Sequence, residues 1–290
     1  METLPTVCDV NFYRAKVHGK TLEEVVALAA DLRRSETGKG VFAVAAATVV
    51  EELLVHVSDP EDPAYRDCSL GLHLLRRHCE GDRFLIPEFG SQLSQAVFNS
   101  DPHAELNEQL VLAADLSLRD GDQPSAELRA LAGFVRQNVE FREKEFLEGV
   151  VNDIAGNATN EAERRAARTF FRADAGLTLA RALSFVTFKL NGVDPSASDI
   201  EKLAGEIRKN WGASLKLFEL LIEKALGPEI NFANPKRNRG NYLWDLQVSF
   251  LVGHFRVVTN DKDVVKAATA AGLSDFVMTE ANYLLFLAAD

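Results

Sequence analysis

The stretch "RVVTNDKDVVKAATAAG", Arg256–Gly272, decides the fold. Val257 and Val258 are apolar and β-branched, as a buried strand requires. "KDVVKAATAAG" reads as a helix, with Gly272 where a C′ glycine falls. Between them stand Thr259, Asn260, Asp261, Lys262 and Asp263. A strand ends, two carboxylates appear, and a helix begins.

The same sequence of events occurs elsewhere. "TVCDVNFY" (6–13) reads as a short strand that turns at Asp9. "TLEEVVALAADLRRS" (21–35) is a helix by its apolar spacing, with Thr21 as N-cap and Glu24 three residues on. "GVFAVAA" (40–46) reads as a buried strand and "TVVEELLVHV" (48–57) as a helix. Near the C-terminus "GNYLWDLQVSFLVGH" (240–254) is helical, "DFVMT" a last strand and "EANYLLFLAAD" a last helix. Alternating strand and helix predicts an α/β fold with a parallel sheet. From about Tyr65 to Leu226 the signals are almost only helical. The expected architecture is one α/β domain made of residues 1–62 and 235–290, with an all-α insertion over 63–234.

Composition bounds the function. The chain has 290 residues and is 47% hydrophobic, enough to bury a full core. Its net charge of −11 argues against broad affinity for a nucleic-acid backbone, though not against a local site. Cys8, Cys68 and Cys79 have neither the number nor the spacing of a disulfide framework or a zinc site. A cytoplasmic location is expected. The start "METLPTVCDV" lacks the features of a signal peptide, and no apolar run reaches the roughly 20 residues that span a bilayer.

Carboxylates gather at the strand-to-helix junctions: Asp9, then Glu51 and Glu52, and Asp261 with Asp263. Asp245 sits inside the apolar segment "YLWDLQVSFLVG". In an open parallel sheet ligands bind outside the carboxyl ends of the strands. Several carboxylates there repel one another unless a hard divalent cation, Mg²⁺ or Mn²⁺, neutralises them. Each has a plainer reading too. Asp9 is also a turn residue, Asp263 could cap the helix that follows, at least one of Glu51 and Glu52 reads as a solvated helix residue, and Asp245 could lie on the exposed stripe of its helix.

The set "TVCDVNFY", "AAATVVEELL", "NYLWDLQVSFLVG" and "RVVTNDKDVVKAATAAG" resembles a PIN domain, over roughly residues 4–60 and 238–290. The resemblance implies a metal-dependent nuclease, usually acting on RNA, often as a toxin or in RNA processing. Its four acidic positions map to Asp9, Glu52 or Glu51, Asp245 and Asp261, with Asp263 as an extra ligand. Leu53 after the pair favours Glu52; the spacing from Thr48 favours Glu51. Asn11 keeps the polar residue two after the first Asp, while Val10 stands where the family often has a hydroxyl. Lys236, Arg237, Arg239 and Asn241 in "NPKRNRGNY", with Thr259 and Asn260, are the candidate substrate contacts. The expected partners are RNA or single-stranded DNA, an inhibitory protein, or a second copy of the chain. Two other classes compete. One is a scaffold protein that binds a partner through its helical middle. The other is a phosphatase-like hydrolase with Asp9 as nucleophile, against which Asn11 breaks the required Asp-x-Asp.

Overall fold

In a computed structural model of the chain, residues 4–79, 81, 84–145, 160–225 and 247–289 are described. Strand β1 (Thr6–Cys8) leads into α1 (Val10–Val17), and α2 (Leu22–Gly38) follows. Then come β2 (Ala45–Ala46), α3 (Ala47–Val57), α4 (Tyr65–His78) and β3 (Leu85–Ile86). Helices α5 (Phe89–Phe98), α6 (Ala104–Asp120), α7 (Ala126–Glu145), α8 (Glu161–Leu190) and α9 (Ala197–Ala225) form the middle. The chain closes with β4 (Arg256–Val258), α10 (Lys262–Ala270), β5 (Val277–Met278) and α11 (Glu280–Ala288). No helix among the described residues is long and apolar enough to cross a membrane.

The protein is a helix-rich α/β fold with a small parallel sheet. β1 pairs with β4 and β4 with β5, all parallel, and β2 pairs in parallel with β3. A parallel bridge from Thr6 to Ala43 joins the two groups: Thr6 N–H donates to Phe42 O, and Val44 N–H to Thr6 O, each at 2.9 Å. The strands therefore line up β3-β2-β1-β4-β5. The chain winds outward from β1 through β2 to β3, then returns to the other side of β1. The topological switch point lies between β1 and β4.

Local chemistry sets these elements. Thr21 caps α2 in a full capping box: its hydroxyl accepts from Glu24 N–H, and the Glu24 carboxylate from Thr21 N–H. Gly272 takes φ +72°, the left-handed conformation that ends α10. The first strand is short and turns at Asp9, as its sequence suggests, because the Asp9 side chain accepts from Phe12 N–H and starts α1 at once. β3 lies in a stretch that reads as helical; two residues beside Pro87 carry no period for a sequence reading to detect.

One buried hydrophobic cluster runs from the sheet into the helices, including Val257, Tyr13, Leu53, Leu72, Leu110 and Val135. Each fully buried leucine contributes roughly 2 kcal/mol. Helix α4 presses close to α1 and α3 at Gly71, where an added Cβ would stand 3.1 Å from Leu53 Cδ2. A polar network lies inside this core. Glu36 Oε1 accepts from His78 Nε2 at 2.8 Å and from the Tyr283 hydroxyl. His78 Nδ1 meets the Tyr13 hydroxyl at 3.2 Å, and that hydroxyl touches Cys79 Sγ at 3.6 Å. Burial first, then the neighbouring Cys79 and Cys8, hold the Tyr13 hydroxyl well above its ordinary range. It stays protonated, as a donor must.

Candidate functional site

The site forms at the carboxyl ends of β1 and β4. Asp9 ends β1 and is 9% exposed. Its Oδ1 accepts from Phe12 N–H at 2.8 Å; its Oδ2 accepts from the Thr259 hydroxyl at 2.6 Å. Thr259, buried just after β4, accepts in turn from Asp261 N–H at 3.0 Å. One hydroxyl thus ties the two strand ends together. Burial raises the Asp9 carboxyl above its ordinary range; the Thr259 and Phe12 hydrogen bonds oppose the rise, and the nearby Asp261 charge adds to it. Asn11 also hydrogen-bonds Asp9.

Asp261 is the cap of α10. Its Oδ1 accepts from Asp263 N–H at 2.7 Å and from Val264 N–H at 3.1 Å. The capping role entertained for Asp263 therefore belongs to Asp261, which stands immediately before the helix where a side-chain oxygen reaches the first free N–H groups. Both of these bonds fall on Oδ1. Asp263 follows in the first turn.

A second layer, which the strand-end rule could have found in "VMTE", lies beside it. Glu280 opens α11 after β5. It accepts from Asn260 Nδ2 at 3.0 Å, while its N–H donates to Asn260 Oδ1 at 3.1 Å. Lys16 pairs with its other oxygen at 2.6 Å. Asn260 is thus committed to bracing the loop that presents Asp261.

Glu51 goes elsewhere. It is 1% exposed, and Arg142 Nη2 donates to its Oε1 at 2.5 Å. Arg142 Nη1 donates to Glu88 Oε2 at 2.8 Å, and His103 Nε2 lies 2.9 Å from Glu88 Oε1. Nothing in the sequence marks Arg142 as the partner of a carboxylate 91 residues away. Burial pushes the Glu51 carboxyl up to about 7, with Arg142 opposing. Thr48 Oγ1, Glu51 Oε2, Arg142 Nε and Gln247 Oε1 are buried without hydrogen-bond partners among the described residues. Thr48, Glu88 and Gln247 line a cavity of about 10 Å³, room for a single water. Glu52 is one residue on, rotated to another face of α3, where its charge is felt by the Cys68 thiol on α4.

The titration of Glu51 has a testable sign. Its unfolded value is the ordinary 4.5 and its folded value about 7, so in that window the fold holds the proton more tightly. The stability it supports is present below the lower value and is lost as pH rises to the upper. Glu51→Gln removes this titration. Its urea midpoint relative to wild type is expected to climb between pH 4.5 and 8, by the equivalent of about 1–3 kcal/mol. A difference that stays flat with pH would contradict the assignment.

The structure thus brings together Asp9, Asn11, Thr259, Asn260 and Asp261, and leaves Glu51 apart from them. Asp245, Lys236, Arg237, Arg239 and Asn241 lie outside the described residues. Among the described residues no group of three or more His, Cys, Asp or Glu side chains is arranged to hold a metal ion. Asp9 and Asp261 supply two of the hard oxygen donors that Mg²⁺ or Mn²⁺ takes, which is a partial fit. No protein family, curated protein or solved structure matches the chain.

Proposed function

We propose that the chain is a PIN-like, metal-dependent nuclease that hydrolyses phosphodiester bonds in RNA, in the cytoplasm. The observation that supports this reading is the pairing of Asp9 and Asp261 through Thr259 at the switch point of a parallel sheet, where open α/β folds bind their ligands. Asp9 and Asp261 would hold Mg²⁺ or Mn²⁺, with Asp263 in the helix turn that follows Asp261; the set the resemblance implies is completed by Glu52 and Asp245. Such a cation, when bound, polarises the phosphodiester and lowers the pKa of water. The chain's own residues do the rest. Thr259 fixes the Asp9 carboxylate, and its hydrogen bond resists protonation of the raised carboxyl. Asn11, exposed beside Asp9, offers an amide to a phosphate oxygen. Glu280 and Asn260 keep the Asp261 loop from shifting.

One observation favours a second reading, a non-catalytic scaffold that binds a protein partner through its helical part. Glu51, a candidate ligand, is held by Arg142 instead.

The two readings part in one experiment. A panel of RNA and single-stranded DNA is incubated with the full chain and Mn²⁺ or Mg²⁺, beside Mn²⁺ calorimetry. Cation-dependent RNA cleavage that stops on chelation is expected. No cleavage together with no Mn²⁺ binding would leave the scaffold.

A further inference from the structure

Away from the strand ends, a cavity of about 340 Å³ opens between α5, α8 and α9. That is within the size range of small-molecule sites. Its floor is apolar: Leu93 and Leu203 are buried, with Phe188 beside them. One wall is Trp211. Here α9 leaves helical geometry, with φ −124° and ψ 27°, and the break sets the indole against the cavity. The indole is braced from behind. It meets Phe89 edge-on at 5.6 Å and His254 at 5.7 Å, and Phe89 stacks on Phe250 at 3.9 Å. An aromatic wall held this way is organised before any ligand arrives.

The rim carries the polarity. Asp199, Lys202, Glu206 and Asn210 all line the cavity and recur every three or four residues, so they form one stripe of α9. Two of these charges are already answered. Asp199 accepts from the Ser196 N–H at 3.0 Å and hydroxyl at 2.6 Å, and the Lys202 charge acts on it. Glu206 makes no hydrogen bond or ion pair among the described residues, and the charges lining the cavity are two carboxylates and one ammonium. A free carboxylate, two aromatic rings and an apolar floor are the elements that recognise an organic cation. An anion would face Glu206 unpaired. A neutral molecule would gain only the apolar contact.

We infer that this cavity binds a small organic monocation, an amine whose apolar body lies between Trp211 and Phe188 and whose ammonium meets Glu206. Glu206 is exposed at the mouth, so the charged head stays near water while the body is buried. This site does not depend on the strand-end chemistry.

Three probes of similar shape test it on the full chain: phenethylamine, phenethyl alcohol and hydrocinnamate. Tryptophan emission is followed, with Trp211→Phe as the control that removes the reporter. Phenethylamine is expected to give a saturable change and to bind about tenfold tighter than the other two. Glu206→Gln, a surface change that leaves the thermal midpoint in place, should bring the amine to the level of the alcohol. Ala96→Phe, at the exposed mouth, should weaken all three. Equal affinities for the three probes, tighter binding of hydrocinnamate, or no saturable response in the wild type would each overturn the inference.

Discussion

Glu36→Ala is expected to destabilise the fold by about 3–5 kcal/mol, the cost of breaking a buried polar pair by removing one partner. Glu36 is 2% exposed on the inner face of α2. Its Oε1 is the shared acceptor for His78 on α4 and Tyr283 on α11. Truncation leaves two buried donors unpaired and opens a cavity between three helices. The loss then spreads, because His78 also holds the Tyr13 hydroxyl on α1. Glu36→Gln should lose much less, since its amide oxygen can still accept from either donor. The check is urea denaturation of both variants at neutral pH. A midpoint for Glu36→Ala within the equivalent of about 1 kcal/mol of wild type would show that water replaces the carboxylate, and that the network is not closed.

How much of this was legible in the sequence depends on distance along the chain. The capping box at Thr21, the stop at Gly272 and the carboxylates at the ends of β1 and β4 are signals within a few residues, and they read correctly. Glu36 is the opposite case. It sits in "RRSETG", where it looks solvated, and its partners are 42 and 247 residues away. The ambiguity between Glu51 and Glu52 is similar. Spacing shows that they lie on different faces of α3, but only the fold shows that Arg142 from α7 captures the first. β3 was illegible for another reason: a two-residue strand has no periodicity, and its identity comes entirely from pairing with β2. The order of the strands, and with it the switch point that gives Asp9 and Asp261 their significance, is likewise a property of pairing rather than of pattern.

Asp9→Asn separates the chemistry of the strand ends from their structure. Asparagine is as good an N-cap as aspartate, so Phe12 N–H keeps its acceptor and α1 keeps its start. The amide nitrogen then takes the place of Oδ2 and donates to the Thr259 hydroxyl oxygen, so the link between the strand ends is kept with its direction reversed. Burial raises the Asp9 carboxyl, so the folded chain holds an ionised group there at a net cost once the pH exceeds its folded value. A neutral amide escapes that cost, and the variant is expected to be at least as stable as wild type at neutral pH. Activity should move the other way. With a neutral ligand at the centre of the proposed cation site, Mn²⁺ binding by calorimetry should disappear and RNA cleavage should fall by about a hundredfold or more. Asp261→Asn should behave alike, because it too keeps a capping oxygen for Asp263 and Val264. Stability retained with cleavage lost is the signature of a carboxylate kept for function against the preference of the fold. Cleavage retained in a stable Asp9→Asn protein would mean that the raised carboxylate serves only to cap α1, and that any nuclease activity belongs to another part of the chain.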